Sequence, residues 1–402
     1  MSHPQSDRMT GVQRRAVAAL AAVVGVRMLG MFLILPVFAL YARDLPDASP
    51  ELIGLALGAY GLTQALLQIP FGWLSDHFGR KPVIYAGLAL FAAGSLLAAL
   101  AGGIWGILAG RALQGAGAVA AVVMALASDL TPEHQRAKAM AAIGMGMGGA
   151  FMLALVLGPV LDPVLGVPGL FGLTAVLAVC SMLLVAAVPN PPVPPPHPPQ
   201  AVREAWLTPA LLRLNVGVFL LHATLVALFL AFPLQLSAAG LETARHWQVY
   251  LPVLAGSVAL MLPLLILGER RRAQRATLLL AGGLLLLALL VLACAGRSLA
   301  ALALGLLVYF TAFNLMEASL PSLLSRMAPA RHRGLAMGVF TTTQFAGAFL
   351  GGAAGGWVLR VFGEPGVFLL AAGLAVLWLP AAAGLQTPPV RPSAVPAAVP
   401  PA

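Results

Sequence analysis

Long apolar runs separated by short polar loops dominate this sequence. Runs of roughly 20 or more apolar residues are typical of helices that cross a bilayer, because a helix satisfies its own backbone hydrogen bonds in hydrocarbon. The pattern predicts an all-α integral membrane protein with twelve spans. These are 14–42, 51–75, 82–101, 103–130, 136–161, 168–188, 208–236, 246–268, 276–295, 298–326, 333–360 and 364–386.

Proline-rich stretches divide the predicted spans into two sets of six. The stretch "PNPPVPPPHPPQAVREAW" follows the sixth span, and "TPPVRPSAVPAAVPPA" follows the last one. So much proline excludes a regular helix and favours an extended or disordered chain. We therefore expect an N-terminal segment, a six-helix bundle, a linker, a second six-helix bundle and a disordered tail, at 1–13, 14–188, 189–207, 208–386 and 387–402.

Composition supports a membrane protein and excludes several other classes. The chain is 60% hydrophobic and 9% charged, with a mean hydropathy of +0.94, whereas soluble domains carry about 25% charged residues. The net charge of +10 does not indicate a nucleic-acid partner, because the basic residues are scattered between apolar spans. A phosphate-binding loop, a metal cluster and a catalytic constellation are all missing from the sequence, so we expect no cofactor, no metal and no enzymatic activity.

The distribution of Arg and Lys predicts the orientation. Outside the spans, basic residues concentrate on one side of the predicted membrane, and the other side carries only Arg43, Arg245, Arg297 and Arg360. Because cytoplasmic loops are enriched in Arg and Lys, both termini are expected in the cytoplasm. The two cysteines, Cys180 and Cys294, fall within apolar spans and are expected to be buried without pairing.

The loop after the second span has an unusual density of charge. It reads "GWLSDHFGRKP", and the corresponding loop of the second half reads "GERRRAQR". The first of these resembles the signature G-x-L-x-D-R/K-x-G-R-R/K of the major facilitator superfamily. The matching positions are Gly72, Leu74, Asp76, Gly79, Arg80 and Lys81.

Further stretches narrow the resemblance. "RALQGAG", with Arg111 and Gln114, resembles a second superfamily motif. "GMGMGGAFMLALVLGP" is similar to the glycine-rich antiporter motif through Gly144, Gly148, Gly158 and Pro159. "RMLGMFLILPVFALYA", "AFNLMEASLPSLL" and "GVFTTTQFAGAFLGG" resemble the YajR-type branch of drug:proton antiporters. The resemblance covers residues 14–386 and implies the two-bundle major facilitator fold, here without the soluble C-terminal domain that YajR-type members commonly add.

The resemblance also implies a conformational latch. Asp76 would meet the start of the eleventh span near Gly334 when the transporter faces outward, since helix N-termini stabilise carboxylates. Arg80 would pair with Asp129, and Gly72, Gly79 and Lys81 would shape the loop. The alternative is a solvated basic loop that only fixes topology.

Four ionisable residues lie at membrane depth, away from the ends of the predicted spans: Arg27, Arg111, His222 and Glu317. Each costs about 3 kcal/mol or more at the bilayer centre, so each is a candidate for function. Glu317 and His222 could carry a proton. Arg27 and Arg111 stay charged and are candidates for proton coupling as fixed counter-charges that set the pKa of an acid, or for holding an anionic group. The family resemblance also implies a residue tied to proton coupling at Arg111. Structural ion pairs or silent hydrogen bonds are the alternative for each.

Polar and small residues in the spans suggest a cavity and close helix packing. The candidate cavity residues are Gln64, Gln68, Gln114, Gln235, Asn314 and Gln344, although such amides can equally bond a neighbouring helix. Glycines at four-residue spacing are expected to bring helices together between the two halves. These glycines are Gly54, Gly58, Gly144, Gly148, Gly347, Gly351 and Gly355.

The function expected from this resemblance is proton-coupled efflux of small amphipathic compounds by alternating access, in a bacterial inner membrane. Basic groups outnumber the one buried acid, so neutral or anionic compounds are expected in preference to cations. The expected partners are a small-molecule substrate, protons and the bilayer, and the protein is expected to be a monomer. A sugar or metabolite symporter or exporter of the same fold, and a non-transporting sensor or scaffold, are the alternatives.

Overall fold

The structure, a computed structural model, describes residues 10–190, 208–329 and 333–385. Apart from a single 3-10 turn at Thr243–Arg245, the regular structure in these ranges is α-helical. Residues 1–9 of the predicted N-terminal segment (1–13), residues 191–207 of the predicted linker (189–207) and the whole predicted tail (387–402) lie outside the described residues. The helices are α1 (Gly11–Leu33), α2 (Leu35–Ala42), α3 (Pro50–Phe78), α4 (Arg80–Ala99), α5 (Ile104–Ala116), α6 (Ala120–Asp129), α7 (Glu133–Ala186), α8 (Pro209–Ala238), α9 (Trp247–Arg270), α10 (Gln274–Cys294), α11 (Leu299–Met327) and α12 (Arg333–Ala383).

Ten segments are long and apolar enough to cross a membrane, with α1 joined to α2 and α5 joined to α6. Two of these segments lie within α7 and α12, helices of 54 and 51 residues. A straight helix of that length would be roughly 75 to 80 Å long, far more than a bilayer core of about 30 Å. Both helices must therefore change direction.

Each long helix turns at one glycine. Gly166 has φ 62° and ψ 168°, and Gly363 has φ 68° and ψ −170°. This region of backbone space is essentially restricted to glycine. The sequence around both turns is Gly-x-Pro-Gly, at 166–169 and at 363–366. The two halves thus contain the same turn at the same place.

Contacts along α1 show that α7 reverses its direction. Gly146 packs near Ala21, and Gly158 packs near Leu33, so this arm of α7 advances along α1. After the turn, the Thr174 hydroxyl lies 3.3 Å from the Gly30 carbonyl oxygen, so the second arm runs back. Counting both arms of α7 and of α12 gives twelve segments among the described residues, consistent with the predicted number.

Two predicted spans contain breaks that the apolar pattern does not show. The span predicted at 14–42 is interrupted at Ile34, because Pro36 has no N–H to continue the ladder of α1. The span predicted at 103–130 is interrupted at Gly117, which leaves the helix with ψ 53°. The second break exposes a backbone carbonyl that becomes important for the site.

The two halves meet through α3 and α12. A Cβ on Gly54 would lie 2.8 Å from the Cα of Gly356, and one on Gly61 would lie 2.6 Å from the carbonyl oxygen of Phe345. At the other end of the same helices, a Cβ on Gly72 or Gly338 would have no heavy atom within 4 Å. The halves are therefore tightly packed at the end that carries Glu51, called the Glu51 end below, and are apart at the end that carries Asp76, called the Asp76 end.

Several predictions about small residues were wrong. Gly347, Gly351 and Gly355 pack against α8, within their own half, and Gly352 and Gly356 make the contact between halves instead. Gly144 and Gly148 have no neighbour within 4 Å of an added Cβ, because they lie on an exposed face of α7. Cys180 and Cys294 are free and exposed on the outer surface of the helices rather than buried.

Candidate functional site

Arg27 is the centre of a polar cluster in the first half. Its side chain is almost fully buried, at 3% exposure. Its Nη2 donates to the Tyr60 hydroxyl and to Gln64 Oε1, both at 2.6 Å, and to the Gly117 carbonyl oxygen at 3.1 Å. The break between α5 and α6 supplies that carbonyl, since an intact helix would have used it internally.

Arg111 forms a second group beside the first. Its Nη1 donates to Gln114 Oε1 at 3.0 Å, and the Gln114 amide donates to Ser95 Oγ at 2.7 Å. Both guanidinium groups lie over the Tyr60 ring, at 5.8 Å for Arg27 and 5.0 Å for Arg111. Tyr60 thus joins the two arginines. Sequence reasoning missed it, although its spacing of four residues from Gln64 indicates a shared helix face.

The arginine cluster has more donors than acceptors. Nε and Nη1 of Arg27 are buried without a partner. The Gln64 amide donates to Gln68 Oε1 at 2.8 Å, and Nε2 of Gln68 is likewise buried without a partner. Within the described ranges, neither Arg27 nor Arg111 forms an ion pair with a carboxylate. Their hydrogen-bond partners are neutral, and a role as counter-charge for an acid stays a prediction.

His222 and Glu317 come together in the second half. The Nδ1 of His222 lies 3.1 Å from the Val218 carbonyl oxygen, and its Nε2 lies 2.7 Å from the Gln344 amide nitrogen. Because a carbonyl only accepts, Nδ1 carries the proton and Nε2 accepts from Gln344. Glu317 Oε2 lies 3.8 Å from His222 Nε2, just beyond a hydrogen bond. The Glu317 side chain is 41% exposed, but Oε2, the oxygen that faces the imidazole, is buried and has no hydrogen-bond partner among the described residues.

The other predicted cavity residues are dispersed. Asn314 donates to Ser257 Oγ at 3.1 Å, a contact between α11 and α9. Gln235 is buried near the end of α8, and its Oε1 has no hydrogen-bond partner. Neither joins the arginine cluster or the His222–Glu317 pair.

The loop at the Asp76 end is held by Arg80. Arg80 Nη1 bonds Asp76 Oδ1 and donates to Ser75 Oγ at 2.7 Å. Its Nε donates to Asp129 Oδ2 at 3.0 Å, which is the pairing that the family resemblance implies. Gly79 adopts φ 89° and so permits the sharp turn between α3 and α4.

Asp76 does not reach α12 in this structure. Gly334 is exposed and has no heavy atom within 4 Å of an added Cβ. The halves are apart at this end, and the contact that the family resemblance implies for the outward-facing state stays a prediction. Lys81 Nζ lies 3.4 Å from the Ala186 carbonyl oxygen and ties the loop to α7.

An ion pair joins the two halves at the Glu51 end. Arg360 Nη1, on α12, donates to Glu51 Oε1, on α3, at 2.8 Å. Sequence reasoning missed this pair because both residues lie at helix ends, where charge is ordinary. A cavity of about 470 Å³ lies next to it and is lined by residues of both halves, including Arg43 and Glu364.

Comparison with known proteins gives consistent results. The family model of the Major Facilitator Superfamily matches residues 20–352 and 247–401. The chain is 46% identical over 388 residues to the inner membrane transport protein YajR of Escherichia coli, covering 95% of this chain and 86% of that one. It is 32% identical over 145 residues to multidrug resistance protein D of E. coli, covering 36% of each.

Among solved structures, the fold matches a bacterial homologue of the human lysosomal transporter Spinster in an inward-facing, occupied conformation. The TM-score is 0.76 at 14% identity, over 94% of this chain and 96% of that one. Identity this low supports a common fold and nothing about the compound carried.

Proposed function

This chain belongs to the major facilitator superfamily of membrane transporters, and we propose that it exports small amphipathic compounds in exchange for protons. The observation that carries the proposal is the His222–Glu317 pair. It places a half-exposed carboxylate 3.8 Å from an imidazole on two helices that apolar residues otherwise dominate. A carboxylate in that position can take up a proton from one side and release it to the other.

A proton gradient supplies enough free energy for this task. One proton moving inward across about 100 mV contributes roughly 2.3 kcal/mol, and each pH unit adds about 1.4 kcal/mol. A potential of about 100 mV together with a difference of one pH unit would sustain a substrate concentration ratio of several hundredfold, since each 1.4 kcal/mol is a factor of ten. The transporter we propose therefore needs no nucleotide.

We assign the structure to the inward-facing state of a bacterial inner-membrane protein. In this proposal, the Asp76 end faces the cytoplasm together with both termini. The packing of Gly54 and Gly61 on α12, with the Glu51–Arg360 pair, closes the Glu51 end. In the outward-facing state these contacts would open and Asp76 would meet the N-terminus of α12.

The direction of transport is supported by relatives and not by geometry. The partial match to a protein named for multidrug resistance and the antiporter-like run that ends at Gly158 and Pro159 favour export. The mixed environment of two arginines, an acid and several apolar helices suits compounds with one polar group and an apolar body.

Purified protein in liposomes with an internal pH dye tests the proposal. A panel of amphipathic compounds is added at equal pH, and an outward-driving substrate gradient should move protons in the opposite direction. Protons that move together with substrate would contradict exchange and indicate symport. No proton movement and no substrate flux with any compound would contradict transport coupled to protons.

Asp76→Asn tests the latch. Removing the charge should weaken the outward-facing state, in which a carboxylate at a helix N-terminus contributes roughly 0.3 to 2 kcal/mol. In a protein with Cys180 and Cys294 replaced by Ala, Ile53→Cys places a thiol that is buried while the Glu51 end is closed. Its labelling rate should fall roughly twofold to thirtyfold on adding Asp76→Asn.

Glu269→Gln is the matched control, because Glu269 lies in the corresponding loop of the second half and is exposed. It should leave the labelling rate of Ile53→Cys unchanged. A rate that is the same in Asp76→Asn would contradict the latch and favour a loop that only fixes topology.

A further inference from the structure

We propose that the Arg27 cluster is a binding site for the acidic group of an aromatic organic acid. The inference rests on the proposed transport function and names its substrate class. It is independent of the direction of transport and of proton coupling. Its basis is the set of buried donors around Arg27 that the protein itself leaves without acceptors.

The uncompensated charge of the arginine cluster favours an anion. Arg27 and Arg111 are each 3% exposed, and both lie over the same Tyr60 ring. Their hydrogen-bond partners are amides, a phenol and backbone carbonyls. Neutral partners and an aromatic face lower the cost of burying a cation, but they do not cancel its charge. Two neighbouring buried cations without a carboxylate favour any anion that can reach them.

The unused atoms at this cluster are all donors. Arg27 has five N–H groups, and those on Nε and Nη1 have no partner. Gln68 offers another N–H donor from Nε2, while its own oxygen is already bonded by Gln64. Both side chains are more than nine-tenths buried. Only a group that accepts several hydrogen bonds satisfies such a set, and a carboxylate has about four acceptor positions and no donor.

An aromatic contact links this cluster to the second half, because the Tyr60 ring lies 6.0 Å from that of Phe345 on α12. A second row of rings lies nearby along α1. Phe32 lies five residues after Arg27 on α1, and its ring is 4.7 Å from that of Phe151. Phe151 stacks on Phe313 of α11 at 6.2 Å, and Phe313 lies 5.7 Å from the His222 ring. The row from Phe32 to Phe313 brings rings of both halves to the His222–Glu317 pair. It suits a flat apolar body attached to the acid.

Binding of matched acids and amides tests the inference. Purified full-length protein in neutral detergent at one pH is titrated with a panel of aromatic carboxylic acids, such as 1-naphthoate, and with their primary amides. Binding is followed by tryptophan fluorescence and by thermal stability. The acids should bind roughly tenfold to hundredfold more tightly than the amides, as expected for charge-assisted hydrogen bonds.

Gln64→Glu is the decisive variant, because Gln64 Oε1 already lies 2.6 Å from Arg27 Nη2. A carboxylate there supplies the missing counter-charge from within the protein. The variant should fold, resist heat at least as well as the unmodified protein, and lose the preference for acids. Arg27→Lys, which keeps the charge but not the guanidinium fork, should keep part of that preference. Gln248→Glu, which adds the same charge at an exposed position of α9, should change nothing.

The inference would be wrong if acids and amides bound equally, or if the preference for acids survived Gln64→Glu. A third contradicting result is stabilisation against heat by chloride or phosphate that is as strong as that by the acids. The last would identify an inorganic anion as the occupant. These measurements use no membrane and no pH gradient. If proton coupling is not observed in liposomes, the binding result still stands. If the acids do not bind preferentially, the proposed exchange with protons is still tested by the liposome experiment.

Discussion

Glu317→Gln is expected to reduce proton flux driven by substrate to the level of protein-free liposomes while ligand binding persists. Glutamine preserves the shape and polarity of the side chain but cannot take up or release a proton. Among the described ionisable groups facing His222, Glu317 is the carboxylate at 3.8 Å, and the neighbouring Gln344 amide is neutral. With no exchangeable acid at this point, protonation of the second half can no longer alternate between the two sides.

The measurement compares internal pH and substrate flux in the same liposomes. Substrate exchange with no pH gradient should continue in Glu317→Gln, because the halves can still move. Glu242→Gln, at an exposed position with a side chain 74% accessible, is the control and should transport normally. Proton flux of ordinary size in Glu317→Gln would show that another group carries the proton.

Gly352→Val is expected to prevent closure of the Glu51 end. A Cβ at this position would lie 2.9 Å from the backbone nitrogen of Gly58, and backbone cannot move aside as a flexible side chain can. Overpacking costs about 1 to 3 kcal/mol, which shifts the equilibrium toward the outward-facing state by roughly 5-fold to 150-fold. Transport should fall because the inward-facing state becomes rare.

Labelling of Ile53→Cys reports this shift directly and should become faster in Gly352→Val. Gly283→Val is the control, since Gly283 lies within α10 on an exposed face and an added Cβ there has no neighbour within 4 Å. It carries the same cost in helix propensity without touching the contact between halves. Slow labelling in Gly352→Val, with transport intact, would show that the α3–α12 contact does not gate this end.

The sequence predicts the transmembrane segments well because each segment depends on the hydropathy of its own residues. Each apolar run must be long enough to cross the bilayer, and its ends are marked by charge, proline or glycine. The turns at Gly166 and Gly363 fall between predicted spans for this reason. The breaks at Ile34 and Gly117 were missed, because hydropathy stays high through them and does not register a change of backbone angle.

The sequence identified the ionisable candidates of the site but not the partners that the structure gives them. Arg27, Arg111, His222 and Glu317 stand out because charge is rare inside apolar spans. Their partners depend on which faces of distant helices meet, and a single sequence does not record that. Tyr60 illustrates the limit, since a tyrosine in a span is unremarkable until two guanidinium groups are found over its ring.

The spacing of the glycines was similarly ambiguous. A four-residue repeat indicates which face of a helix carries small residues, but not which other helix packs against that face. Gly351 packs on Ala223 of α8, whereas its neighbour Gly352 packs on Gly54 of α3. The two faces of α12 therefore serve different contacts, one within a half and one between halves. Only the three-dimensional arrangement distinguishes them.

The Gly-x-Pro-Gly turn shared by α7 and α12 also bears on the origin of the protein. Gly158 stands eight residues before the first turn and packs on α1, and Gly355 stands eight residues before the second and packs on α8. Matching turns with matching contacts are what duplication and fusion of one ancestral gene would leave. The ancestor would then have been a polypeptide of six transmembrane segments. The arginines in the first half and the acid in the second would be differences that arose after the two copies were joined.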